Sequence, residues 1–170
     1  MLERLSVRLA SRIRAEVPDH PRSEAVLAYG LKLMFNTAAT LLLGVLLGML
    51  LGMLSRVLLA LGAFALLRVL SGGYHFRSAL VCVIVSSVGA AVLAYVQLSP
   101  AAVAALNGIN ALLVLGYAPS GIERQSRIPA AWYPHLRAAS LLIVLSNFWF
   151  QSPLLAATWF LQAVSLLRRR

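Results

Sequence analysis

The chain has 170 residues, of which 61% are hydrophobic and 12% are charged, and its net charge is +10. Soluble globular domains carry roughly half apolar and about a quarter charged residues, so this composition excludes an ordinary soluble protein. It predicts an all-α, polytopic membrane helical bundle with the lipid bilayer as its main partner. The basic residues lie mostly at the ends of apolar runs, without a basic and aromatic platform, so we expect no nucleic acid partner. One cysteine and three histidines form no zinc-binding pattern, and we expect neither a metal nor another cofactor.

Residues 1–20 are predicted to form an amphipathic helix at the membrane surface. Leucine, isoleucine and valine recur there at spacings of three and four, whereas arginines take the other faces. The arginines would then face anionic lipid; alternatively, the helix packs on its own protein. Because no continuous apolar run is present, we do not expect a cleaved signal peptide. Prolines at 18 and 21 end the predicted helix.

About six apolar runs are predicted to form a transmembrane bundle over residues 31–167. The first run is twice as long as one span, so it is read as a hairpin with its turn at 52–56. The last two runs are short, and they would be tilted, extended by flanking residues or paired as a shallow re-entrant element. The predicted spans are 31–51, a second ending near 70, 79–98, 101–118, 138–150 and 154–167.

The distribution of basic residues predicts the orientation. With the N-terminus in the cytoplasm, the segment 71–78, the loop 119–137 and the C-terminus also lie inside. Fourteen of the fifteen lysines and arginines then lie inside, and only Arg56 lies outside. We therefore expect one membrane-embedded domain over residues 1–170, in the cell membrane, with both termini cytoplasmic.

The candidate chemistry lies between the second and third predicted spans. His75 precedes the only cysteine, Cys82, by seven residues, and a thiol becomes a useful nucleophile when an imidazole and positive charge favour its thiolate. Arg68 and Arg77 supply such charge. On a continuous helix the two Cα atoms would lie about 10–11 Å apart, so residues 72–78 must leave the helical path if the pair works together. Gly72-Gly73 would permit this turn, and their amides could also donate to an oxyanion.

The pattern Gly72-Gly73-Tyr74-His75, six residues and Cys82 resembles the signature of the AgrB-like family, the accessory gene regulator B membrane cysteine endopeptidases. The resemblance implies that Cys82 forms a thioester with the precursor of a short autoinducing peptide and releases its C-terminal part. It implies that His75 is the general base and then the acid. In some members a Cys or Ser of the precursor attacks the thioester and closes a ring. Further matches are Tyr29-Gly30, Asn36, Tyr117-Ala118-Pro119 and Ile128-Pro129.

Supporting roles follow from the same resemblance. Arg124 and Arg127, with Arg68 and Arg77, are candidates for binding the precursor. Glu123 is the only acid after Glu24 and is the only downstream carboxylate that could orient His75, although a solvated loop residue is the ordinary interpretation. Ser71 and Ser78 are weaker alternatives.

The alternative function is a non-enzymatic membrane module, such as a transporter subunit or a scaffold. The two glycines would then form only a turn and the cysteine would only pack. The lack of an intramembrane acid argues against a transporter.

Other polar and small residues in the apolar runs indicate helix packing. Gly44, Gly48 and Gly52 predict close helix approach, within the chain or across a homodimer. We assign no catalytic role to His20 or His135. Polar residues expected to join neighbouring helices are Asn36, Gln97, Asn107, Asn110 and Asn147.

Overall fold

A computed structural model describes residues 2–17, 21–74, 76, 78–121 and 128–167. The described part of the chain contains no strand, which confirms the predicted all-α fold. A single turn of 3-10 helix, Ala130–Trp132, precedes the sixth α-helix. The α-helices are α1 (Leu2–Glu16), α2 (Glu24–Leu50), α3 (Leu54–Ser71), α4 (Ala79–Leu93), α5 (Pro100–Tyr117), α6 (Tyr133–Phe150) and α7 (Pro153–Ser165).

The helices α2, α3 and α5 are long and apolar enough to cross a membrane, and α4 and α7 are apolar but shorter. Many large apolar side chains point outward, which would be unfavourable in water but is expected where lipid surrounds the protein. The chain is therefore a membrane protein. Outward-facing examples on these helices are Leu42, Leu50, Val69, Leu80, Val92 and Leu112.

Several helix ends differ from the predicted spans. α2 begins at Glu24 instead of 31, and α6 begins at Tyr133 instead of 138. Both helices begin in polar residues that precede the apolar run, so the run alone places their starts too late. α4 ends at Leu93 instead of 98, since the chain leaves the helix before Pro100. Of the alternatives for the two short runs, extension by flanking residues describes the 18-residue α6, whereas α7 has 13 residues and is not extended.

Helix α1 packs against α2 through small residues. Ser6 and Ala10 are buried, whereas Leu5 is exposed. Glu3 Oε1 and Lys32 Nζ form an ion pair at 2.6 Å, and the Ser11 hydroxyl donates to the Glu24 carboxylate. The hydrogen bond and the charge of Lys32 lower the pKa of Glu3 below its usual value. One face of α1 therefore packs on the protein, while on the predicted apolar face Leu5 and Val17 are exposed and Leu9 and Ile13 are partly buried.

Two of the three spaced glycines bring α2 and α3 together. Both Gly44 and Gly48 are buried, and a Cβ added at Gly48 would lie 2.9 Å from the Cα of Leu54. Gly52 lies in the turn that follows, with φ of +65°. Since the first two glycines face α3 of the same chain, they no longer favour a homodimer.

The connections between helices alternate between the two ends of the bundle. At one end, Arg56 Nη2 donates to the carbonyl of Val96 at 3.2 Å, which joins the α2–α3 turn to the α4–α5 connection. At the other end, Ser120 N donates to the carbonyl of Ser71 at 2.9 Å, which joins the end of α3 to the segment after α5. This arrangement fits an up-and-down bundle, with the α3–α4 connection on the same end as the residues after α5.

Buried asparagines join helices in the part of the bundle formed by α5, α6 and α7. Asn147 Nδ2 donates to Asn107 Oδ1 at 3.0 Å, and Asn110 Nδ2 donates to the carbonyl of Ala156 at 2.9 Å. The expected interhelical role of these three residues is confirmed. Gln97, in contrast, is exposed in the α4–α5 connection.

Candidate active site

The connection between α3 and α4, residues 72–78, is here called the glycine strap. Gly72 has φ of 71° and Gly73 has φ of 124°, a conformation that residues with a side chain rarely adopt. A Cβ at Gly73 would lie 2.6 Å from Ser165 Oγ and 3.1 Å from Gln162 Nε2. Glycine is therefore required at 73 both for the backbone turn and for the close approach to α7.

Helix α7 holds the start of the strap through Gln162. Its Nε2 donates to the carbonyl of Gly72 at 2.6 Å and to Ser71 Oγ at 3.1 Å, and the side chain is fully buried. The amide of Tyr74 donates to the carbonyl of Ser165 at 3.3 Å. Sequence reasoning missed Gln162, although a lone glutamine in the apolar run of α7 was a usable signal.

Arg68, in the last turn of α3, supports the strap from the opposite side. Its guanidinium donates to the carbonyl of Tyr74, and Nη1 donates to Gln162 Oε1 at 3.3 Å. Its Cζ lies 5.4 Å from the centre of the Phe64 ring, within the range of a cation–π contact. These contacts fix the position of the Arg68 guanidinium beside the strap.

Cys82 is the fourth residue of α4, and it lies at the junction of two cavities. The first cavity, of about 300 Å³, lies among α3, α4 and α7, and the second, of about 370 Å³, reaches α2. The thiol is partly exposed and accepts a hydrogen bond from Asn36 Nδ2 at 3.9 Å. Residues that line both cavities are Leu61, Phe64, Arg68, Cys82 and Ser86.

The two cavities differ in their linings. Apolar side chains such as Val85 and Leu161 dominate the first. The second adds hydroxyl and amide groups from α2, including Thr37 and Thr40, and ends near Ile128. An extended chain of substrate could lie across the thiol with one part in each cavity.

The structure brings three of the predicted site residues together around the second cavity, namely Arg68, Gly72 and Cys82. Gly73 follows in the strap and lies against α7. The prediction that the chain leaves the helical path is confirmed, because α3 ends at Ser71 and α4 begins only at Ala79. The remaining predicted site residues lie outside the described part of the chain. They are His75, Arg77, Glu123, Arg124 and Arg127.

The predicted use of the glycine amides for an oxyanion needs correction. Gly72 N donates to the carbonyl of Arg68 at 2.9 Å, and Gly73 N donates to the carbonyl of Ser120 at 2.9 Å. Both N–H groups are thus used within the chain, because the strap is fastened to α3 and to the segment after α5. Backbone positioning is the role that remains for these glycines. The Ser71 hydroxyl, an alternative support for His75, donates instead to the carbonyl of Leu67 at 2.7 Å.

An all-α membrane fold with one cysteine at the junction of two cavities defines a membrane protein with a thiol-centred cleft. The model of the accessory gene regulator B (AgrB) family matches residues 6–167, and the chain belongs to this family. No curated protein and no solved structure matches the chain. Family membership supports a role in the agr quorum-sensing system and implies a peptide precursor as the substrate.

Proposed function

We propose that the chain is a membrane cysteine endopeptidase that cleaves the C-terminal part from an autoinducing peptide precursor. The observation that carries this proposal is the position of Cys82, which lines two cavities instead of filling a packed core. A cysteine that only packs would be enclosed by apolar side chains, as the non-enzymatic alternative requires. Here the thiol is reachable from two directions.

In the proposed reaction, His75 takes the proton of the Cys82 thiol, and the thiolate sulfur bonds to the carbonyl carbon of the scissile peptide. The carbonyl π electrons move onto oxygen and then return as the C–N bond breaks. The leaving amine takes the proton from His75, so a thioester and a free C-terminal fragment result. The proposed role of His75 is supported by its chain neighbours Tyr74 and Phe76, which line the first cavity together with Cys82.

The thioester can then react in two ways. Water, deprotonated by His75, would release a linear peptide. A thiol or hydroxyl of the precursor would instead release a thiolactone or a lactone and return Cys82 to its thiol form. Because the structure leaves a cavity on each side of Cys82, a precursor side chain could approach while the acyl group stays bound.

Charged residues are proposed to support the reaction and to bind the substrate. Arg68 lines both cavities, and with Arg77 it would supply positive charge near Cys82. Ile128 lines the second cavity, which supports a role for the preceding loop residues Arg124 and Arg127 in binding an acidic precursor. The companion proposal for Glu123 is that it orients His75.

The proposed topology has six crossings, one domain over residues 1–170, both termini in the cytoplasm and α1 at the membrane surface. The positions of the described basic side chains along the bundle support this topology. Lys32, Arg68 and Arg137 lie towards the strap end, where Arg137 Nε donates to the carbonyl of Ala118 at 2.6 Å. Arg56 lies at the opposite end. The strap would then face the cytoplasm.

The experiment replaces Cys82 with Ala and His75 with Ala and follows cleavage of a co-expressed precursor by mass spectrometry. His135→Ala is the matched control, because this histidine is exposed and lines neither cavity. We expect both site variants to lose cleavage and the control to keep it. Cleavage at the parental rate by both site variants would instead favour the non-enzymatic module.

A further inference from the structure

Three backbone donors near Cys82, the amides of Gly72, Gly73 and Cys82 itself, are already used. Cysteine peptidases need preorganised N–H groups aimed at the oxygen that gains charge during attack. Because Cys82 is the fourth residue of α4, its own amide makes a helical hydrogen bond to the carbonyl of Ser78 at 3.1 Å. The amides of Gly72 and Gly73 donate to carbonyls of the chain as described above. A side chain is therefore the better source of the donor.

Asn36 on α2 presents such a donor directly at the thiol. Its Nδ2 donates to Cys82 Sγ at 3.9 Å, and the residue lines the second cavity. Within the described part of the chain, no other side chain donates a hydrogen bond to this sulfur.

The other end of the same amide is left without a partner. Asn36 Oδ1 is enclosed and has no hydrogen-bond partner among the described residues. A buried acceptor without a partner is unfavourable, and a bound ligand can supply the missing donor. The unpaired oxygen could instead accept an N–H of a bound peptide.

We propose, given the proposed cysteine peptidase function, that Asn36 is a further catalytic residue that donates a hydrogen bond to the oxyanion. When the sulfur of Cys82 bonds to the substrate carbonyl carbon, the carbonyl π electrons pass to the oxygen. That oxygen is two bonds from the sulfur, so a donor that starts 3.9 Å from Sγ can meet it at about 2.7–3.1 Å. Asn36 Nδ2 then donates its hydrogen bond to the negatively charged oxygen instead of to the sulfur.

The position of Asn36 is fixed by the packing of α2 on α4. Thr40 Oγ1 donates to the carbonyl of Asn36 at 2.8 Å, and Ser87 Oγ donates to the carbonyl of Thr40 at 3.0 Å. These bonds lie one turn further along both helices from the thiol. These bonds fix the backbone of α2 beside α4 and so set the position from which the Asn36 side chain reaches the thiol.

Two other groups are less suited to the role. The Arg68 guanidinium is held by the carbonyl of Tyr74 and by Gln162 Oε1, which directs part of its N–H fork to the strap. The first-turn amides of α4 have no helical partners, but they precede Cys82 along the helix axis. These amides are the main rival, and the experiment below separates them from Asn36.

The test compares Asn36→Ala with Asn110→Ala, a buried asparagine on α5 that lines neither cavity. Rates are expressed per reactive thiol, measured from the mass of the iodoacetamide adduct at the only cysteine. We expect Asn36→Ala to lower kcat by about 10²–10³-fold with little change in KM, as for loss of an oxyanion donor. Asn110→Ala should keep kcat.

A second readout separates a catalytic from a structural role. A peptide aldehyde forms a tetrahedral adduct with the thiolate, whereas the cleaved product peptide does not. Asn36→Ala should weaken binding of the aldehyde by about 10²-fold and leave the affinity for the product peptide unchanged. Equal weakening of both ligands, or a kcat within about threefold of the parent, would overturn the role of Asn36.

The same series distinguishes this inference from the proposed function. If Cys82→Ala is inactive while Asn36→Ala retains the parental kcat, only the Asn36 role fails, and the α4 amides become the donors. If Cys82→Ala cleaves as the parent does, the cysteine peptidase function fails and the Asn36 role fails with it.

Discussion

Replacing Gly73 with Ala should detach the glycine strap from α7 without unfolding the bundle. The backbone φ of 124° disfavours alanine, and such strain costs about 1–3 kcal/mol. The new Cβ would lie 2.6 Å from Ser165 Oγ, so that hydroxyl must move. Moving it disrupts its hydrogen bond of 2.7 Å to the carbonyl of Gln162, worth about 1 kcal/mol. The total destabilisation is about 2–4 kcal/mol, concentrated at the strap.

The assay combines thermal unfolding in detergent with the rate of precursor cleavage. A shift of the strap by about 1 Å should lower cleavage by about 10²-fold, because productive geometry is lost. Gly62→Ala on α3 is the matched control, since its Cβ would meet nothing within 4 Å, and alanine there should stabilise the helix by about 0.5–1 kcal/mol. A Gly73→Ala protein as stable and as active as the parent would refute the close approach to α7.

Three further predictions concern other parts of the molecule. Gln162→Leu should lower both the unfolding temperature and the cleavage rate, because it leaves the strap carbonyl without a donor, at a cost of about 1–3 kcal/mol. Glu3→Gln should lower the unfolding temperature at neutral pH only. Lys32 lowers the pKa of Glu3, so the ion pair stabilises above the ordinary carboxyl pKa and is lost as the pH falls through the lowered value. A difference that persists in acid would contradict this. In a Cys82→Ala background, Gln97→Cys should react with a membrane-impermeant maleimide from outside intact cells, and Leu167→Cys should react only after lysis.

The sequence predicts the helical membrane fold because lipid imposes a long apolar run on each crossing. It also predicts that residues 72–78 leave the helical path if His75 and Cys82 work together, since helix geometry separates residues seven apart by about 10–11 Å. The helix ends at Glu24 and Tyr133 were missed, because hydrogen bonding continues into polar residues after the apolar pattern ends. The spacing of apolar residues does not indicate how far a helix extends into the polar residues beside them.

The contacts that build the site are long-range, and this is why the sequence does not predict them. Gln162 meets the strap across 90 residues, and Asn36 meets Cys82 across 46 residues. A single sequence shows that both are polar residues in apolar surroundings, but not which helix each one faces. The same limit led to the incorrect assignment of the Gly72 and Gly73 amides, whose partners lie on α3 and after α5.

The most direct test of the central proposal is to trap the acyl-enzyme. The purified protein is mixed with precursor, quenched in acid and measured by intact mass spectrometry. We predict an adduct on Cys82 with the mass of the N-terminal part of the precursor less one water, removed by hydroxylamine and absent from Cys82→Ala. Cleavage by the Cys82→Ala protein at the parental rate, with no such adduct on the parent, would contradict the account.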